Sequence, residues 1–292
     1  MSFLLSLFGL GEVKAPEPDR KAALAVGPLE SLDGSPVATW LAGGRECKGA
    51  LPLAGAQLDA AIYSSRGRGY ANYNEDAAGL FKSEKGRVFA FVLDQAGGLG
   101  GEVRGQGSER ASQVIFEAFK KVLGQPKDTN PLPELERAFG DAHRALIERG
   151  QGEVTTAVAA VVTSTAAHLM NSGDSAALHF DAKGKRKQQT ELHVLEGTHQ
   201  GYLTHALGLS PEGANPEDYL WTLEPGDWLV LATDGLLDAE LDEATFARLL
   251  SQASSAEQAV NRIASLVLRR MGTMRAKPDN LTMVVLRVPP RD

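Results

Sequence analysis

Hydrophobic and polar positions follow no sustained period before Gln57, and after it they fall into two distinct kinds of run. Arg87 to Leu93 (RVFAFVL) is short, almost continuously apolar and halted by Asp94 and a glycine cluster, which predicts a buried sandwich strand with Asp94 at its end. Thr155 to Val162, Ala167 to Asn171 and Ser175 to Phe180 are strand-like runs separated or followed by the turn signals TST, SGD and DAKGK, so consecutive antiparallel hairpins are expected. Asp227 to Thr233 and Leu281 to Val288 predict two more strands, the first leading into Asp234-Gly235 and the second leaving Asp279-Asn280. The other kind of run has helical spacing. Ala111, Val114, Ile115, Ala118, Phe119 and Val122 share one face, with Ser108 available as N-cap. A second helix starts near Pro133, carries Leu135, Ala138, Phe139, Ala142, Leu146 and Ile147 on a stripe, and stops at Gly150. Asp242 to Leu250 and Ser255 to about Met271 complete the set, the latter opening with a Ser255 to Gln258 capping box.

Strand runs interrupted by paired helices are not βαβ alternation. They predict an α+β fold with two antiparallel sheets packed face to face and helices outside, a four-layer α-β-β-α sandwich. Glu12 to about Pro52 is rich in Pro, Gly, Ala and charge, so residues 1–57 read as a loosely ordered N-terminal arm and residues 58–292 as the domain. No internal repeat or low-complexity tract is visible. The opening MSFLLSLFGL is too short to span a bilayer and lacks the basic residues that precede a signal core; it reads as a cytoplasmic lead segment, and no membrane association is expected.

Composition narrows the partners. An apolar fraction of 43% over 292 residues suffices for a large core. The formal charge of −7 leaves no basic stripe, which argues against nucleic acid. Cys47 is the single cysteine, so no internal disulfide can form and a reducing, cytoplasmic compartment fits; a monomer is expected.

The acidic residues carry the chemistry. Asp94 and Asp234 end strands and Asp279 begins one, positions that can converge on one rim of a sandwich. Ionised carboxylates about 4 Å apart repel by roughly 4 kcal/mol at an effective dielectric near 20, so a cluster of them calls for cations. Oxygen ligands without paired His or Cys favour Mg²⁺ or Mn²⁺, and a two-metal hydrolytic site follows as the expectation. Taken singly, an Asp before Gly after a strand is a turn residue. The surroundings change that reading. Asn74-Glu75-Asp76, Asp94 with Gly97-Gly98, Thr155-Thr156-Ala157-Val158, Asn171-Ser172-Gly173-Asp174-Ser175, Leu203 to Gly208 (LTHALG), Ala232-Thr233-Asp234-Gly235 and Asp279-Asn280-Leu281-Thr282 follow one another in this order. In these seven motifs, spread over Leu58 to Val288, the chain resembles the metal-dependent serine/threonine protein phosphatases of the type 2C class, in their compact bacterial form.

The resemblance implies hydrolysis of phosphoserine and phosphothreonine in a phosphorylated protein substrate, by water activated between two Mn²⁺ or Mg²⁺ ions. It implies that Asp94 bridges the ions, that Asp234 and Asp279 complete one of them, that Glu75 and Asp76 act through metal-bound water, and that the Gln95 carbonyl reaches the other. There are departures. Ala71 stands where the family usually has a phosphate-gripping Arg, and Arg66 and Arg68 upstream are the candidates for that grip. Gln95 replaces a Gly, where a positive φ would strain a residue with a Cβ. Ala96 lacks a His found in some relatives, and a third ion has only Glu153 as a candidate ligand. His193, His199 and His205 fit no zinc spacing and read as sandwich edge or flap, and the glycines at 97–101 read as backbone clearance rather than a dinucleotide loop. The competing reading is a binding or regulatory module that keeps the fold with weakened catalysis; a two-metal nuclease is disfavoured by the acidic surface.

Overall fold

The computed structural model describes residues 58–68, 74–82, 87–96, 106–123, 130–150, 152–195, 202–273 and 275–290, with short strands at 30–32, 35–37 and 47–52. The opening apolar segment, Ala71, the glycines at 97–101, Val103, Gln151 and His199 lie outside the described residues. Among the described residues, no helix is long and apolar enough to cross a membrane.

In chain order, β1 (Glu30–Leu32) and β2 (Ser35–Val37) pair with each other, and β3 (Cys47–Pro52), β4 (Asp59–Ser65), β5 (Asp76–Lys82) and β6 (Val88–Ala96) follow. Two consecutive helices, α1 (Gln106–Leu123) and α2 (Leu132–Arg149), lead to β7 (Val154–Thr155), β8 (Ala157–Val162), β9 (Ala166–Ser172), β10 (Ala176–Phe180), β11 (Arg186–Gln189), β12 (Glu217–Thr222) and β13 (Trp228–Ala232). The short α3 (Asp234–Leu237), then α4 (Glu243–Ser251), α5 (Ala256–Gly272) and β14 (Leu281–Arg287) complete the described elements. One sheet runs β11-β10-β13-β14-β4-β3 and the other β12-β9-β8-β6-β5, with β7 paired to the end of β6.

Three apolar layers hold this together. Val88, Ala90 and Val92 of β6 face Leu229 and Leu231 of β13 and Val284 and Leu286 of β14 in the space between the sheets. The alternate positions Phe89, Phe91 and Leu93 turn outward onto Ile115 of α1 and Leu135 and Phe139 of α2. Val230, Met283 and Val285 likewise turn onto Val260, Ile263 and Val267 of α5. Each central strand is thus covered on both faces, which is why its sequence reads as an unbroken apolar run although its side chains alternate. The four-layer α-β-β-α sandwich is the observed architecture.

Local details depart from the sequence expectation. TST and DAKGK do join antiparallel pairs, β8–β9 and β10–β11. The SGD turn does not: β9 pairs with β8 and β12, β10 with β11 and β13, so the chain crosses there from one sheet to the other. Gly173 makes the corner with φ of 119°, and a Cβ there would lie 2.5 Å from the Thr156 Cβ, so both conformation and clearance demand glycine. Helix α1 begins at Gln106, which puts Ser108 inside its first turn rather than at the cap. Ser255 does cap α5 by accepting from the Gln258 N–H, but the Gln258 side chain accepts from Ser254 N–H, one residue before the cap. Strand β3 pairs with β4, so the division at 57/58 leaves one sheet strand on the arm's side. Edge strands β11 and β12 lack an apolar run: β11 is exposed throughout, and β12 buries only Trp221 fully.

Candidate metal centre

The inter-sheet core ends in polar residues that continue its own alternation. Two positions beyond the last inward apolar residue of each strand stand Ser64 after Ile62, Asp76 before Ala78, Asp94 after Val92, Thr156 before Val158, Thr233 after Leu231 and Thr282 before Val284. Asp76 and Asp94 are direct cross-strand partners. Thr233 Oγ1 donates to Asp76 Oδ2 at 2.9 Å and so ties one sheet to the other, while Ser64 and Thr282, neighbours within one sheet, share a 2.7 Å hydrogen bond. Thr156 Oγ1 accepts from Asp94 N–H at 3.1 Å, and Asn280 Oδ1 accepts from Glu75 N–H at 2.7 Å.

Above this layer opens a cavity of about 210 Å³ lined by Glu75, Asp94, Gln95, Ala96, Thr156, Asp174, Leu203, Asp234, Lys277, Asp279 and Asn280. The structure therefore brings together Glu75, Asp94, Gln95, Asp234 and Asp279, with Asp76 buried behind them. Asp234 opens α3, and Gly235 beside it lets the turn approach the Asn280 carbonyl, which a Cβ would meet at 1.8 Å. Gln95 pairs with Thr155 in an ordinary strand, and the non-glycine residues with positive φ among those described are Asn215 and Glu240, so the strain feared at Gln95 does not arise.

The carboxylates destabilise one another's charge. Burial, then the Thr282 and Thr233 hydroxyls pulling the other way, then the charges of Asp234 and Asp279 leave the Asp76 pKa well above the carboxylate range. Burial, followed by the charges of Asp76, Asp234 and Asp174, raises Asp94 in the same direction. Asp174 is pushed up to about 6, by burial first and Asp234 second. Asp279 rises for the same two reasons, eased by Lys277. Among the described residues, Asp76 Oδ1 is buried with no hydrogen-bond partner. An orphaned carboxylate oxygen in an all-oxygen cluster this electronegative fits hard divalent cations, Mg²⁺ or Mn²⁺, better than Zn²⁺.

Other expected residues fall elsewhere. Arg66 and Arg68 are exposed and do not line the cavity; Arg68 packs near Gly272 at the end of α5. Glu153 is buried, is ion-paired to Arg110 and, at 3.5 Å, to Arg149, and does not line the cavity. His193 and His205 meet edge-on at 4.6 Å, and His193 Nδ1 accepts from Gly173 N–H, buttressing the sheet-crossing turn.

Sequence reasoning missed two members of the site. Asp174 lay inside a recognised motif, but reading SGD as a hairpin turn hid its direction. Lys277 carried no linear signal; its Nζ lies 3.2 Å from Asp234 Oδ2, 3.2 Å from Asp238 Oδ2 and 2.8 Å from Asp279 Oδ2. Burial alone would lower its pKa, but Asp234 and Asp279 override that and push it up.

No curated protein matches the chain in sequence. Among solved structures, the S. agalactiae serine/threonine phosphatase is 20% identical with a TM-score of 0.65, over 79% of this chain and 99% of that one. The Mycobacterium tuberculosis serine/threonine phosphatase PstP/Ppp is 22% identical with a TM-score of 0.63, over 80% of this chain and 99% of that one. The catalytic domain of PstP in complex with two manganese ions gives 23%, a TM-score of 0.61, and coverage of 79% and 97%. These likenesses carry the fold, the same sandwich that the motif resemblance implies. The family model described as Stage II sporulation protein E (SpoIIE) matches residues 99–289, from just after β6 to just after β14, and the chain belongs to that family.

Proposed function

We propose that the chain is a metal-dependent protein phosphatase that hydrolyses phosphoserine and phosphothreonine with metal-activated water, its domain being residues 58–292. The observation that carries this is the convergence of Glu75, Asp94, Asp234 and Asp279 on one cavity, with Asp76 buried behind them at the end of an apolar core. Asp94, Asp234 and Asp279 would hold two Mn²⁺ or Mg²⁺ ions, with Glu75, Asp76 and the Gln95 main chain completing their surroundings. Such cations supply a water acidified toward neutrality and offset the charge that develops on an in-line displacement at phosphorus. The chain's own residues fix the geometry. Thr233 orients Asp76, Thr156 takes the Asp94 N–H, and the Asn280 side chain takes the Glu75 N–H, so the carboxylates are set before any ion arrives.

The single cysteine and the acidic balance support a reducing cytoplasm, and the bacterial phosphatases of like fold support a signalling role in a bacterium, with a monomer acting on phosphorylated proteins. The test is Mn²⁺-dependent hydrolysis of an aryl phosphate and of phosphoserine peptides. Asp94→Asn and Asp234→Asn should each lower the rate by about 100-fold or more. Turnover unchanged in both variants would refute the reading.

A second reading, a binding or regulatory module with weakened turnover, is favoured by Lys277, whose ammonium engages two of the proposed ligands. Clear Mn²⁺ binding in calorimetry without turnover on any phosphopeptide would select it.

A further inference from the structure

Asp234, Asp238 and Asp279 each offer a carboxylate oxygen, and all three oxygens lie within 4.8 Å of one another. Carboxylates held so close repel unless a cation stands between them. The Lys277 ammonium stands there, within 2.8 to 3.2 Å of an Oδ2 of each residue. Two of these contacts, to Asp234 and Asp238, are hydrogen bonds and the third, to Asp279, is a close ion pair, so Lys277 is held by three carboxylates at once rather than as one half of a surface pair. The position is chemically distinct from the deeper part of the cavity. Asp238 does not line the inner cavity, whereas Asp234 and Asp279 border both regions. Lys277 also reaches this position from only two residues before Asp279, a short tether that keeps the ammonium at the cavity mouth.

We propose that Lys277 is a tethered counter-cation that fills the outermost cation position of the acidic site, bounded by Asp234, Asp238 and Asp279, and so denies it to a divalent ion. The inference rests on the metal-site reading above. A divalent ion entering that position must displace the ammonium, whereas ions held deeper by Asp94 share Asp234 and Asp279 with it. Lys277 thereby limits the number of divalent ions the site accepts and lowers the affinity of the last one. It is a positioning residue for the cations, with no contact to the reacting phosphorus required.

Calorimetry and equilibrium dialysis with Mn²⁺ test this on the full chain, comparing the wild type with Lys277→Met, Lys277→Arg, Arg275→Gln and the double variant Lys277→Met/Asp238→Asn. Arg275→Gln removes a nearby positive charge from the adjoining groove and controls for a general electrostatic effect. The expected result is that Lys277→Met binds one more Mn²⁺ per chain, or binds its weakest ion about tenfold tighter or more. Lys277→Arg should stay close to the wild type, and the double variant should lose the gain. Equal stoichiometry and affinity in wild type and Lys277→Met would overturn the proposal, as would an equal gain in Arg275→Gln. Mn²⁺ binding by the wild type tests the metal-site reading separately. If the wild type binds none and Lys277→Met binds, the tether blocks the site outright and the proposal stands; if neither binds, both readings fall.

Discussion

Asp174 shows how much a single carboxyl depends on its setting. Burial and the neighbouring Asp234 charge hold its pKa at about 6 against an ordinary value of 3.8. Its folded pKa is raised, so it contributes stability that is full below the unfolded pKa and lost as pH rises through the folded one. In metal-free protein, wild type should therefore lose stability relative to Asp174→Asn between about pH 4 and about pH 7, with no further divergence above that. Urea titrations across that range in the presence of chelator check this, and parallel curves for the two proteins would be inconsistent with a raised Asp174. The difference construction matters because His143, His168 and His193 have lowered pKa values, chiefly through burial, and tilt the wild-type profile the opposite way. Residue identity alone made Asp94, Asp234 and Asp279 legible, because each stood at a strand boundary in a recognisable motif. Asp174 and Lys277 were not legible, because which way a turn or a loop lysine points depends on chains brought together from elsewhere.

Strand β6 is the element on which the site is mounted. It runs through both the inter-sheet core and the α1–α2 layer before presenting Asp94, so its packing sets where that carboxylate stands. Phe91 is fully buried on its helix-facing side and is the direct cross-strand partner of Gly79, whose missing Cβ leaves room for the ring at 2.2 Å. The pair behaves as one unit. Phe91→Ala should cost about 3–5 kcal/mol through the cavity it leaves. Gly79→Ala should cost about 1–3 kcal/mol through overpacking against the ring. Because the added methyl enters the space the ring vacates, the double variant should lose clearly less than the sum, as read from urea denaturation of all four proteins. Simple additivity would mean that the two residues do not share that space. The apolar run of β6 was plain in the sequence, as were the helical stripes of α1 and α2. The exposed strands β11 and β12 were not, since an edge strand with little burial leaves no periodic trace.

At the scale of the whole molecule, two sheets are pinned together at one end by the Thr233–Asp76 hydrogen bond beneath a group of mutually repelling carboxylates. Ions bound there stabilise only the folded chain, because the unfolded chain scatters the ligands along more than 200 positions of sequence, as the 205-residue separation of Glu75 and Asn280 shows. At a Mn²⁺ concentration about 100 times its dissociation constant the folded state should gain about 2.7 kcal/mol, raising the melting temperature by about 5 °C or more. The shift should vanish in Asp94→Asn. A melting temperature indifferent to Mn²⁺ in the wild type would count against the site.

The amino-acid sequence by itself determined the layering, because alternation and helical spacing are local properties that each segment carries wherever it lies. It also marked Glu75, Asp94, Asp234 and Asp279, which the fold brings to one cavity, because short motifs in a fixed order survive in the linear text. Only the tertiary structure decided that the SGD turn passes from one sheet to the other and delivers Asp174, that Glu153 is engaged by arginines, and that Lys277 closes over Asp234, Asp238 and Asp279. Each of those is a question of direction and of through-space charge, set by groups remote in sequence, and no local pattern encodes it.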